Sequence, residues 1–220
     1  MEKILRWTIN IILVCVIIHF CKPIVNKGIE SYENKKVYEQ AIEEKEQLVR
    51  EEKSHDWITV SGTKINYPVA YKEMDNGYYL GHDIYGNESA HGSIFYDGSR
   101  EPFSSHTTIL YGHCMKDKSM FATLHYFRED ESKFRESEVT IETKKGEIKK
   151  FKPLGLYVTN ENFFYTELYK MTIDEAMAII KENSRYDINV NYNENSKIIV
   201  LMTCSYEHEG DRLFCFYISE

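Results

Sequence analysis

From residue 57 onward the chain alternates short apolar runs with polar, turn-forming stretches, and each run has the length of a strand. Trp57-Ile58-Thr59-Val60 and residues 65–70 flank the turn Ser61-Gly62-Thr63 and predict a hairpin. Further strands are predicted over 93–96, 107–111, 139–143, 148–158, 197–203 and 213–218, with Lys144-Lys145-Gly146-Glu147 as a tight turn between two of them. One helix is well marked: Thr172 and Glu175 have the spacing of a capping box, ahead of Ile173, Ala176, Ile179 and Ile180 at helical intervals. Many short strands and few helices predict a mainly β barrel or sandwich, not a doubly wound sheet.

The first 53 residues follow a different pattern. Lys3 and Arg6 precede an apolar run over 8–21; counted from Ile4 to Cys21 it is near the lower limit of a spanning helix, about 17–25 residues. No small-x-small cleavage pattern follows; the next residues are Lys22, Pro23, Ile24 and Val25. An uncleaved membrane anchor over 1–25, with its N-terminus in the cytoplasm, is therefore expected. Residues 26–53 are dense in Glu and Lys, lack proline, and carry Val37, Ile42, Leu48 and Val49 at a weak helical spacing. They read as a charged helical stalk whose charges form a solvated face. The remaining 54–220 form one domain, which would lie outside the cell.

Composition narrows the function. A chain of 220 residues, 42% of them hydrophobic, can bury one substantial core. Its net charge of -8 excludes a nucleic-acid partner, which requires a basic face. Beyond the anchor, three cysteines remain, Cys114, Cys204 and Cys215, so an exported domain keeps at least one free thiol unless chains pair.

Cys204 is the candidate nucleophile. It stops the apolar run Lys197-Ile198-Ile199-Val200-Leu201-Met202-Thr203 just before the chain turns polar, so the thiol sits on a rigid element facing solvent. Arg212 opens the next apolar strand, close enough for the loop to fold its guanidinium back over the sulfur. His113 follows the strand that ends Tyr111-Gly112. One thiol, one imidazole and one fixed cation at strand ends form an acyl-transfer set. The thiolate attacks; His113 serves as base toward the thiol or acid toward the leaving amine. Arginine stays protonated, so Arg212 is assigned to a substrate carbonyl or oxyanion. A Cys204–Cys215 bridge is the structural alternative, but Cys215 alternates with Leu213 and Tyr217 like a small buried hydrophobe. No CxxC or HExxH spacing accompanies His82, His91, His106, His113 and Cys114, so neither a metal nor another cofactor is expected. His82 and His91 read as loop histidines and His125 as a surface one. The Phe163-Phe164-Tyr165 cluster reads as core, a helix-packing contact or a wall for a peptide groove. Asn87-Glu88-Ser89 reads as a polar loop.

Five blocks of the sequence together resemble class B sortases, membrane-anchored cysteine transpeptidases of Gram-positive bacteria. They are Trp57 through Val69, Asp75-Asn76-Gly77-Tyr78-Tyr79-Leu80-Gly81-His82-Asp83, Gly92-Ser93-Ile94-Phe95-Tyr96-Asp97, the run from Tyr111-Gly112-His113 to Phe121, and Leu201-Met202-Thr203-Cys204-Ser205-Tyr206-Glu207. The resemblance implies an eight-stranded β-barrel with N-terminal helices and one helix between the sixth and seventh strands. It implies Cys204 as nucleophile, His113 and Arg212 as its partners, and Asn76 and Leu80 as positions lining a sorting-signal groove. The implied partners are surface proteins bearing a C-terminal Asn-Pro-Gln-Thr-Asn-like signal and an amine of peptidoglycan. Three positions depart from the family pattern: Val200 stands where a threonine is usual, Cys114 where a non-thiol residue is common, and Lys118 where glycine is common. A hydrolytic thiol peptidase is an alternative, although papain-like enzymes place cysteine before histidine, the reverse of this order. A non-catalytic surface-binding β-domain is another, and would need no free thiol.

Overall fold

The computed structural model describes residues 2–47, 55–160, 165–205 and 208–219. Two compact units divide it, residues 1–43 and 44–220. The anchor and stalk expectations fall on one helix, α1 (Glu2–Gln47), which carries Pro23 in its interior; residues 48–53 lie outside the described set. Its segment from Asn10 is long and apolar enough to cross a membrane, with Ile11, Ile12, Leu13, Val14, Ile17, Ile18 and Phe20 all exposed.

The second unit is a closed barrel of eight strands: β1 (Asp56–Val60), β2 (Asn66–Ala70), β3 (Ile94–Tyr96), β4 (Thr107–Tyr111), β5 (Val139–Glu142), β6 (Ile148–Asn160), β7 (Ile198–Cys204) and β8 (Asp211–Ile218). Their order around the barrel is β1-β2-β3-β4-β7-β8-β6-β5. All eight strands expected from the sequence are present, including the β1–β2 hairpin and the β5–β6 turn, where Gly146 takes φ +84°. The pairing is mixed, with β2–β3 and β4–β7 parallel and the rest antiparallel. Between β4 and β5 lie two one-turn helices, α2 (His125–Glu129) and α3 (Glu131–Arg135), which the sequence pattern did not signal. The marked helix, α4 (Ile173–Asn183), sits between β6 and β7 with its Thr172–Glu175 capping box formed.

The uninterrupted apolar runs of β7 and β8 have a simple origin: both faces are buried. Ile199, Leu201, Leu213, Cys215 and Tyr217 pack with Ile58, Leu110, Phe127, Phe134 and Phe151. Side chains one position along, Ile198, Val200, Phe214, Phe216 and Ile218, pack instead with Ile173, Ala176, Met177 and Ile180 of α4. The two-residue period of a strand divides one run between two cores. Val200 lies wholly within the second, at 0% exposure, where a hydroxyl would need a partner. Cys215 is likewise fully buried and free, as its alternation suggested, and burial pushes its thiol far up.

Candidate functional site

Two neighbouring pairings carry three side chains to one end of the barrel. β7 and β8 are antiparallel in a register that sets Cys204 directly opposite Arg212. β4 runs parallel to β7, Tyr111 against Met202, and Gly112 continues the pairing by donating its N–H to the Met202 carbonyl at 3.2 Å. His113 follows immediately. A Cβ at Gly112 would stand 2.8 Å from the Phe121 ring, so only glycine lets the chain leave the strand there without moving that buried phenylalanine. The loop after His113 then closes on itself, Phe121 N–H donating to the His113 carbonyl at 3.0 Å. Within it Lys118 has φ +67°, a left-handed conformation that glycine adopts most easily.

A cleft of about 360 Å³ joins these residues. Cys204, His113 and Arg212 line it together with Asn76, Leu80, Phe95, Tyr111, Gly112, Tyr165, Met202 and Thr203. All five residues singled out from the sequence thus meet in one place. Its size lies in the usual range for ligand sites, and its walls are largely apolar with a few convergent polar groups. Cys204 and Arg212 are half-buried. Nη1 of Arg212 donates to the carbonyls of Gly210 and Asp211, both at 3.1 Å, so the backbone of its own turn orients the guanidinium.

His113 was left without an orienting partner by the sequence, and the fold supplies one: Nε2 lies 2.9 Å from the Leu80 carbonyl. A second histidine, read from sequence as a surface residue, is in fact half-buried beneath the thiol. Nε2 of His125 donates to the carbonyl of Cys204 itself at 3.0 Å. Burial lowers the His125 pKa against the pull of that carbonyl, and the Arg128 charge adds to the lowering. On the other side of the same peptide, Ser205 N–H donates to the Asp211 carbonyl at 2.8 Å. Both polar groups of the peptide after the thiol are thereby fixed.

Asn76 has a double duty. Its Nδ2 donates to Asp97 and its Oδ1 accepts the Gly98 N–H at 2.6 Å, so the side chain that borders the cleft is held from below. Asp97 is buried, at 3% exposure, and also accepts from the Tyr111 hydroxyl at 2.6 Å and the Ser99 N–H at 2.8 Å. Burial by itself would raise the Asp97 pKa, but the bonds from Ser99, Tyr111 and Asn76 outweigh it and hold the carboxyl below its ordinary value. Burial and Asp97 together push the Tyr111 phenol far up.

The remaining candidates find other roles. Cys114 is a half-buried thiol outside any disulfide, raised by burial and then by the neighbouring Cys204, with Lys118 and Arg128 opposing. The histidines considered as metal ligands take separate partners: His82 Nδ1 meets the Tyr78 carbonyl and His106 Nδ1 the Ser196 carbonyl. His91 lies in the loop before β3, as expected. It is buried, with Nε2 2.9 Å from Asp117, because the loops before β3 and after β4 pack together. Asn87 binds Asp83 within a polar loop, as read. Phe163 and Phe164 lie outside the described residues, whereas Tyr165 lines the cleft and packs on Phe214 at 5.4 Å between ring centroids.

Comparison with known proteins places the fold that carries this cleft. Residues 58–216 match the family model described as the Sortase domain. The chain is 35% identical over 164 residues to Sortase B of Listeria monocytogenes, a match covering 71% of this chain and 64% of that protein. It is 27% identical over 220 residues to Sortase B of Staphylococcus aureus, covering 89% and 88% respectively. The fold superposes on the crystal structure of Clostridium perfringens sortase B with a TM-score of 0.70 and 27% identity, covering 80% of this chain and 99% of that one.

Proposed function

Because this chain belongs to the sortase family, we propose that it is a cysteine transpeptidase acting on the C-terminal sorting signals of surface proteins. The observation that carries the reading is the shared cleft: the half-buried thiol of Cys204 stands across the β7–β8 ladder from Arg212, with His113 in the same wall. A β-domain built only to bind would have no use for a free thiol between an imidazole and a guanidinium.

In this reading the Cys204 thiolate attacks the carbonyl carbon of the scissile amide. Arg212 donates to the oxygen that gathers negative charge. His113 gives a proton to the departing amine nitrogen as the C–N bond breaks, leaving a thioester on Cys204. An incoming amine attacks that thioester, passes a proton back to the site and frees the thiol. The choice of an amine over water at that step rests on the likeness to sortases.

The resemblance of the five sequence blocks to class B sortases supports the substrate class. The signal is an Asn-Pro-Gln-Thr-Asn-like segment joined through its threonine carboxyl to a peptidoglycan amine, with Asn76 and Leu80 on the groove that receives it. The apolar part of α1 holds the chain in the cell membrane as a single span, with the barrel outside. Mass spectrometry of the protein mixed with signal peptides and an amine acceptor tests the reading. The expected products are a thioester on Cys204 and an acceptor-linked peptide, both lost in Cys204→Ala. Hydrolysis alone in the presence of abundant amine would identify a thiol peptidase, and absence of any thioester would leave a binding domain.

A further inference from the structure

The contact between His113 and Leu80 identifies which ring nitrogen does the chemistry, an inference that rests on the function proposed above. A carbonyl oxygen only accepts, so Nε2 of His113, 2.9 Å from Leu80 O, carries the hydrogen. In the neutral ring Nδ1 then holds the lone pair. The value of such a tie depends on how firmly the carbonyl is held, and here the holding is visible in the backbone.

Leu80 closes a short 3-10 turn, Tyr78–Leu80. The Asp75 carboxylate caps its start by accepting the Gly77 and Tyr78 N–H groups at 3.1 and 3.0 Å. From the other side the segment entering β3 clamps it: Ser93 N–H donates to the Tyr79 carbonyl at 2.9 Å, and Ser93 Oγ to the His82 carbonyl at 3.0 Å. Gly92 makes that approach possible. It has φ +57°, and a Cβ there would lie 2.5 Å from Tyr79 O and 2.8 Å from Leu80 O. Those are backbone atoms, so any side chain at 92 must displace the turn whose last carbonyl holds His113.

We propose that Gly92 is a positioning residue: by letting the strand entrance close on the Tyr78–Leu80 turn, it presents the Leu80 carbonyl to Nε2 of His113, fixes the Nε2–H tautomer, and leaves Nδ1 as the nitrogen that exchanges a proton with Cys204 and with the leaving amine. Nδ1 takes the thiol proton to form the attacking thiolate and gives it to the amine nitrogen as the carbon–nitrogen bond breaks. Leu80, besides bordering the groove through its side chain, acts on the reaction through its backbone. Gly92 is not among the residues that line the cleft.

Three measurements on the full-length chain in detergent micelles test this. Nitrogen-15 spectra of the histidine side chains, assigned by comparison with His113→Gln, should show a solvent-protected Nε2–H on His113 at pH about 8.5, above the ordinary imidazole range. Its absence from the wild-type protein overturns the proposal, whatever any variant does. Replacing His113 by Nδ1-methylhistidine blocks the proposed nitrogen and moves the lone pair of the neutral ring to Nε2, so the N–H bond to Leu80 is lost as well; turnover should fall at least about 10²-fold, the lower range of a general acid–base contribution, while Cys204 still labels with iodoacetamide. Retained turnover would assign the proton to Nε2 and refute the idea. Gly92→Ala should lose the protected Nε2–H signal and at least about tenfold in turnover, and change the pH profile of turnover. A Gly92→Ala protein with both signal and turnover intact refutes the role of Gly92. The spectroscopic readout needs no substrate, so it stands or falls separately from the transpeptidase reading.

Discussion

Tyr111→Phe removes a single oxygen at the junction between the barrel and the cleft, and its consequence can be worked out. The lost hydroxyl donates at 2.6 Å to Asp97, whose carboxylate is 3% exposed and cannot turn to water for a replacement. A hydrogen bond to a buried charged group contributes about 1.5–3 kcal/mol. Asp97 keeps Ser99 N–H and Asn76 Nδ2, and the Tyr169 hydroxyl also reaches it, so the lower part of that range applies, about 1.5–2 kcal/mol. No cavity opens, because the ring remains. For a domain of this size that corresponds to a melting point lowered by about 3–8 °C at pH 7. The pH dependence has a definite sign. Asp97 is held below its ordinary value in the folded protein, so its contribution is complete above the unfolded carboxyl range, about pH 4, and is lost as pH falls through the lower folded value. The variant holds the carboxyl down less, so the difference between the two proteins is full at pH 7 and shrinks below about pH 4. Thermal melts followed by near-ultraviolet circular dichroism at pH 7 and pH 3.5 make the comparison. A difference under about 0.5 kcal/mol at pH 7, or one that grows on acidification, would refute the account of Asp97 as an ionised anchor beneath Asn76.

The three thiols of the barrel should separate sharply. Cys204→Ala abolishes product and thioester, whereas Cys114→Ser and Cys215→Ala keep most activity; iodoacetamide should label Cys204 first, Cys114 slowly because burial and Cys204 raise its thiol, and Cys215 only on unfolding. Loss of cleavage in a folded Cys114→Ser would overturn the assignment. Arg212→Lys keeps the charge but loses the forked donors that its turn orients, so turnover should fall about 10²–10³-fold with Cys204 still reactive. Turnover equal to wild type would make Arg212 a packing residue. The full-length chain should stay with membranes through a high-salt wash, because the exposed Ile, Leu and Val side chains of α1 insert by burial and not by charge. Release by salt would show that α1 does not span.

What the sequence determined by itself was everything governed by short range. The strand periods, the Thr172–Glu175 capping box and the Gly146 turn are read within a few residues of one another, because backbone geometry imposes them locally. Cys204, His113 and Arg212 were legible because each ends or begins an apolar strand, a position that marks a side chain held rigidly at a surface. The one-turn helices α2 and α3 left no periodic trace, since five residues are too few to repeat a 3.6-residue pattern. The tertiary structure decided what depends on contacts far apart in the chain. His125 reaches the Cys204 carbonyl from 79 residues away, and His91 meets Asp117 across 26. Only the closed order of strands brings β4 beside β7 and so sets His113 and Cys204 in one cleft. The orientation of His113 was the least legible of all. Its partner is the carbonyl of Leu80, and a backbone oxygen is the same in every residue, so no side-chain pattern records where a fold will aim it.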